Sequence, residues 1–321
     1  MKHWIALALA FVFVTASNAA DKRVPWQQFV SEAHGFTIDM PAAVTATHPD
    51  SGSPEWNLSV FDSELHDPWT KFTVMLDTRV AQGIFDPRNV EEILEGSVAK
   101  TVKNNEGTLI KSERTPFQGR QAISYEIGYT NDQKDHGVIR GINFMVDGGV
   151  MRLIEEHWEK DPDALRQFVH FTGTFKLIPM KYYPADEAYQ ATSGLRILPP
   201  KGWKQGEGQG KLDLVRFTDL NRSLKVSASS NDSYHCANLE AQLREGGMLT
   251  ESKPVKLGEQ QALKLTADVK FPDDGQVLTA VRYCLDVPNN GTVVITGAVN
   301  KDEFWRWAAV FDGAAATVKL K

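Results

Sequence analysis

The chain has 321 residues, of which 42% are apolar and 24% charged, and a formal net charge of −6. That is enough apolar material for about two globular domains and too much for a disordered chain. The charges are mixed along the sequence with no basic block, so a phosphate-binding stripe is excluded and no nucleic acid is expected as a partner.

Lys2 and His3 precede an apolar run over 4–14 that ends in the small residues of 15–20. A charged start, a short apolar core and a small-residue exit describe a signal peptide over 1–20. The run is short for a bilayer span, which takes about 20 apolar residues. No later stretch is apolar enough to cross. The expectation is a periplasmic or secreted protein that begins near Asp21 and does not insert in a membrane once the signal is removed.

Phe36, Ile38 and Met40 alternate before Pro41 and predict a strand that ends in a turn. Two more strands follow over 58–61 and 71–77. Asp86-Pro87 opens a helical pattern, with Val90, Ile93, Leu94, Val98 and Val102 at helical spacing over 87–103. Strands are then read over 109–113, 121–130, 138–146 and 150–156, the last two joined by the hairpin signal Asp147-Gly148-Gly149. Asp161-Pro162 starts a second helix, with Leu165, Phe168 and Val169 as its buried stripe, and 174–177 closes the unit as a strand.

The order then repeats. The segment 109–125 lies without gaps on 249–265: Leu109 meets Leu249, Ser112 meets Ser252, Gln121 meets Gln261 and Ala122 meets Ala262. The second copy has its first strand at 195–198, a shorter first helix around Leu239 and Leu243 that stops at Gly246-Gly247, and an alternating strand over 263–271. Its final helix has the stripe Phe304, Trp307, Ala308 and Phe311. A repeat this long means two copies of one domain. The predicted bounds are 21–179 and 194–321, with a linker over 180–193. Alternating strands and tight hairpins predict antiparallel sheets with helices on one side and a more polar opposite face, in an α+β fold.

The pieces GFTIDMP at 35–41, FQGRQAISYEI at 117–127 and FTGTFKL at 171–177, with their counterparts GLRILPP, LGEQQALKLTA and TVKL, together resemble the PsbP-like fold, an α/β/α sandwich around an antiparallel sheet. The resemblance implies two tandem sandwiches and a binding or accessory module. It transfers no site residue.

Cys236 and Cys284 both lie in the second copy. In an oxidising compartment they read as a disulfide, and the alternative is two separate buried thiols. Ile142 is read opposite Cys284, so the bridge is not part of the shared plan, and Arg140 opposite Arg282 as a shared structural salt bridge.

Ser97-Val98-Ala99-Lys100 fits S-x-x-K, but no S-D-N or K-T-G accompanies it, so it reads as a solvated helix face. The histidines show no metal-ligand spacing, and the acidic hairpin tips at Asp132, Asp135, Asp273 and Asp274 lack a calcium-loop pattern, so no metal and no cofactor are expected. Trp56, His66 and Trp69 flank one loop, and two readings stand: contact with a partner or ligand, or core packing of at least one Trp, the more frequent case. Trp305 lies off the stripe of the final helix and is a similar case, with contact to the other domain as a further reading. No catalytic residue is assigned. The expected function is an exported non-enzymatic binding or accessory module of the cell envelope, with an envelope protein or small ligand as partner. The alternative is a hydrolase with its site in the interdomain cleft.

Overall fold

The computed structural model describes residues 25–47, 58–66, 68–78, 89–146, 149–191, 194–207, 212–219, 222–229, 235–270, 277–287 and 291–320. The predicted signal peptide, the Asp86-Pro87 helix start and Trp56 lie outside these residues. In the first domain the chain runs through β1 (Gln27–Ser31), β2 (Phe36–Met40), β3 (Thr45–Thr47), β4 (Leu58–His66), β5 (Trp69–Asp77), α1 (Val90–Asn104), β6 (Thr108–Phe117), β7 (Arg120–Thr130), β8 (His136–Val146), β9 (Gly149–Trp158), α2 (Ala164–Thr174) and β10 (Lys176–Leu177). The second domain has β11 (Tyr189–Gln190), β12 (Arg196–Ile197), β13 (Lys204–Gly206), β14 (Asp213–Asp219), β15 (Arg222–Ser229), α3 (Cys236–Glu245), β16 (Leu249–Leu257), β17 (Gln260–Lys270), β18 (Val277–Val287), β19 (Gly291–Asn300) and α4 (Phe304–Ala316).

Each domain closes its own seven-stranded antiparallel sheet. The orders are β3-β4-β5-β9-β8-β7-β6 and β13-β14-β15-β19-β18-β17-β16, which match strand for strand. Both edge pairs even share a bulge, between Leu109 and Lys111 in one and Leu249 and Glu251 in the other. The fold is therefore α+β, two similar sandwiches in tandem. In the first, β1, β2 and β10 form a small separate sheet. In the second, β11 pairs with β12 as β1 pairs with β2. Part of the segment read as linker is thus a strand.

Helices cover both faces, so the expected polar face is instead a second core. In the first domain Leu94 and Val98 of α1 pack on Ile123, Tyr125 and Ile127 of β7, as the alternation predicts. On the opposite face Phe171 of α2 joins Phe36, Phe72, Phe144 and Phe175 in the larger core. Of the predicted stripe of α2, Phe168 packs against this core, and the other two residues are out of phase. Leu165 and Val169 are 60% and 57% exposed, and the buried positions are Ala164, Gln167, Phe171 and Thr172. Helical spacing allowed either stripe. Phe171, whose ring packs at a tilt against Phe72 at 5.2 Å between centroids, sets the phase.

Strand pairing corrects two alignments. Asn143 pairs with Ile123, and Cys284 pairs with Leu263. Cys284 therefore corresponds to Asn143, not Ile142. Gly141 pairs with Tyr125 and Arg282 with Leu265, so Arg282 corresponds to Gly141, not Arg140. The cause is loop length. Residues 131–135 join β7 to β8, whereas 271–276, one residue more, join β17 to β18. The sequence pairing allows two extra residues where the loop has one, so every later position is set one residue too far.

The corrected register shows one structural device executed twice. In the first domain buried Asn143 donates through Nδ2 to Ser97 Oγ on α1 at 2.7 Å. Ser97 thus faces the sheet, not solvent as its motif suggested. In the second domain Cys284 and Cys236 form a disulfide, with Cα atoms 5.5 Å apart, and tie α3 to the same strand position. Asp286 on that strand also accepts the Cys236 amide at 3.2 Å and completes the helix start from outside. With both sulfurs bonded to each other, Cys236, Cys284 and Asp286 offer a metal only the one carboxylate.

Closing a loop over a separation of 48 residues stabilises by about 4 kcal/mol in the chain-entropy model. Reduction is expected to lower the denaturation midpoint of the second domain by a comparable free energy. Asn143→Ala is expected to cost the first domain about 1–3 kcal/mol by leaving Ser97 buried without its donor. Denaturant titration with and without reductant checks both.

Candidate functional site

The two domains meet at the N-terminal end of α4. Arg306, on its first turn, is 0% exposed, and it turns away from its own core. Its Nη2 donates to the carbonyls of His34 at 3.0 Å and Gly35 at 3.2 Å, in the β1–β2 turn of the first domain. Its own carbonyl accepts the amide of Met180 at 2.8 Å. Ile178 in turn donates to Gly35 O at 2.9 Å. Glu303, just before α4, is buried and accepts from Arg120 at the start of β7 while lying 3.9 Å from Arg306 Nη1. Arg120, Glu303 and Arg306 form a chain of charges across the junction. At its rim Lys181 pairs with Glu32 at 2.6 Å, which holds the Glu32 carboxyl below its ordinary value. His34 sits between two hydroxyls, with Nδ1 3.0 Å from Ser31 Oγ and Nε2 2.9 Å from Ser59 Oγ.

The turn depends on Gly35, whose φ of +64° is a conformation that side chains other than glycine rarely adopt. A Cβ there would lie 2.5 Å from Arg306 Nη2 and 2.9 Å from Ile178 O.

A cavity of about 380 Å³ opens beside this junction, between α1 and the β6–β7 hairpin. Leu94, Pro116, Ala122 and Ile123 give it apolar walls. Arg114 at the rim pairs with Glu91 at 2.8 Å and Glu95 at 2.5 Å. Arg120 lines the cavity and reaches from it to Glu303, so the wall is coupled to the second domain. A second cavity of about 370 Å³ lies between α3 and its sheet and is lined by Lys225, Ser227, Arg282 and Thr296 with Leu239 and Leu243. Neither cavity brings Ser, His and carboxylate side chains together.

Of the residues singled out in the sequence, His66 and Trp69 are cross-strand partners at the end of the β4–β5 hairpin. Trp69 packs on Trp158, with ring centroids 5.0 Å apart. Trp305 is 47% exposed on α4, and the side chain that α4 sends to the first domain is its neighbour Arg306. The described site residues line neither cavity. Sequence reasoning missed Arg120, Glu303 and Arg306. The one available signal was an arginine beside Trp307, within the apolar turn of an otherwise apolar helix.

Beneath the α2 face lies a further ionic group. Glu155 is 0% exposed, with His157 Nδ1 at 3.0 Å and Arg140 Nη1 at 3.8 Å. Arg140 also bonds Glu126 at 2.9 Å, so the salt bridge expected for Arg140 is present in the first domain. Burial pushes the Glu155 carboxyl above its ordinary value, against the opposing pull of His157 and Arg140.

No family model matches the chain, and no curated protein matches it. Among solved structures it is similar to the solution structure of cyanobacterial PsbP (CyanoP) from Synechocystis sp. PCC 6803, at 16% identity and a TM-score of 0.33, covering 42% of this chain and 92% of that one. A crystal structure from Bacteroides thetaiotaomicron gives 16% identity and a TM-score of 0.32, covering 42% of this chain and 48% of that one. The immunity protein TplEi of the T6SS from Pseudomonas aeruginosa gives 10% identity and a TM-score of 0.28, covering 93% and 98%. These are likenesses of fold that include a PsbP. The tandem architecture itself stands on the strand order and pairing of this chain.

Two outcomes are expected. Gly35→Ala and Glu303→Gln should each destabilise by about 3 kcal/mol in denaturant titration, the first by strain and collision, the second by leaving buried cations without their carboxylate. For Glu155, the raised folded value means that its stabilising contribution is complete below the ordinary 4.5 and is lost as pH rises through the folded value. Glu155→Gln should therefore compare more favourably with wild type at pH 8 than at pH 4.5, measured by denaturation at both.

Proposed function

We propose that the chain is an exported, non-enzymatic binding or accessory module of the cell envelope, and that it takes an apolar group of a protein partner or small ligand in the cavity beside α1. The observation that carries this reading is the cavity's coupling to the junction. Its volume of about 380 Å³ falls within the range of ligand pockets, and Arg120 is both its wall and the tether to Glu303. An occupant that moves Arg120 acts on the contact between the domains.

The disulfide supports an oxidising compartment. Among the described residues no helix is long and apolar enough to cross a membrane. Residues 1–20 are proposed as the signal peptide. The proposed domain limits are 21–179 and 194–321, with 180–193 between them and β11 serving the second domain. Trp56, His66, Trp69 and Trp305 are proposed as outer aromatic contacts for a partner.

Pro116, two residues from Arg114 on the α1 face of β6, lines the cavity at its exposed rim. Crosslinking and affinity purification from the native envelope are expected to recover a partner or ligand with wild type and to lose it with Pro116→Trp. Equal recovery with the variant, or none with either protein, contradicts the proposal. Mass spectrometry of the exported protein should show a start near Asp21, and retention of 4–14 contradicts export by cleavage.

A further inference from the structure

We infer that the second domain holds a binding site for a small amphipathic anion, an oxyanion head with a short apolar body, in the cavity between α3 and the sheet. This goes beyond the first-domain cavity and does not depend on it.

The head site is a row across three neighbouring strands. Lys225 of β15 pairs with Thr296 of β19, and Thr296 pairs with Arg282 of β18. Cross-strand partners share a face, so the two cations stand about 10 Å apart with a hydroxyl between them. Ser227, two residues from Lys225, adds a second hydroxyl on the same face. Asp213 accepts Ser227 Oγ at 2.8 Å and lies 3.2 Å from Lys225 Nζ. One carboxylate therefore orients both groups at that end of the row. The cavity of about 370 Å³ above the row exceeds the needs of a bare ion, and Leu239, Leu243, Met248 and Val294 supply an apolar wall for the rest of the ligand.

The first domain shows what the same place looks like without a site. The corresponding row is Thr73, Ile154 and Gly141, with Tyr125 next across β7. A Cβ on Gly141 would lie 2.3 Å from the Tyr125 ring, so the aromatic occupies the space that Arg282 has in the second domain. Tyr125 is buried there and Leu265, which lacks a ring, replaces it. The covering helix is also shorter, 10 residues in α3 against 15 in α1. Three changes act together: the ring is removed, the roof is shortened and a cation is placed beneath it. Cys284, two residues from Arg282 on the same face, bonds the roof to the floor through Cys236. The cavity is preorganised by a covalent link, which lowers the ordering cost of binding.

The test uses the full oxidised protein with hexanoate, hexanol and inorganic phosphate as probes. The readouts are the methyl resonances of Thr296 and Val294 and the thermal midpoint. Hexanoate is expected to give saturable shifts at both methyls and a raised midpoint, weakened by salt. Phosphate should bind more weakly and hexanol should not saturate. Arg282→Met and Lys225→Met, which keep the side-chain stems, should each weaken hexanoate about tenfold. Arg282→Lys should recover part of the loss, which separates loss of charge from loss of fold. The inference is overturned if hexanoate does not saturate, if its affinity survives both methionine variants, or if hexanol or phosphate binds as tightly as hexanoate.

Discussion

A fully buried guanidinium holds this molecule in one arrangement. Taking Arg306 out of water costs several kcal/mol, and the cost is offset only because two carbonyls of the first domain and Glu303 of its own chain turn face it. The acceptors and the donor lie on different domains, so the interaction exists only when both are folded and in register. Arg120 extends the same network to the mouth of the first-domain cavity. Domain arrangement and the candidate binding site thus share one set of charges.

The two sandwiches differ where chemistry could differ. Their strand orders and edge bulges agree, and each ties its first helix to the same strand position. The tie is a hydrogen bond from Asn143 in one copy and a disulfide from Cys284 in the other. Each copy leaves a cavity on that helix face, apolar beside α1 and cationic beneath α3. A duplicated scaffold with unlike pockets can engage two unlike groups, and linkage of two weak contacts raises apparent affinity without new chemistry.

Much of the scaffold was legible because period 2 and period 3.6 are strong signals. The alternation of Ile123, Tyr125 and Ile127 and the hairpins read directly, and of the two readings open for Cys236 and Cys284 the disulfide is the one present. What failed was fine phase. Phe168 does pack on the core, but Leu165 and Val169 beside it fit a helical stripe as well as Ala164, Gln167 and Phe171 do, and only the aromatic layer opposite decides between them. The pairing of Arg140 with Arg282 failed because the length of the intervening loop has no periodic signal: the sequence pairing allowed two extra residues there and the loop has one. The small strand β11 has too few residues to show a period. Arg306 was opaque for a deeper reason: a charge on an apolar helix face has meaning only when its acceptors, roughly 270 residues earlier in the chain, are known.

The most direct measurement is hydrogen exchange at the amides of Ile178 and Met180 in Arg306→Met. Both bonds accept on backbone carbonyls, Gly35 and Arg306, which the substitution leaves in place. If the guanidinium holds the domains together, these two amides lose protection while sheet amides such as those of Ile139 and Val281 keep theirs. Unchanged protection at Ile178 and Met180 would show that the junction stands without it.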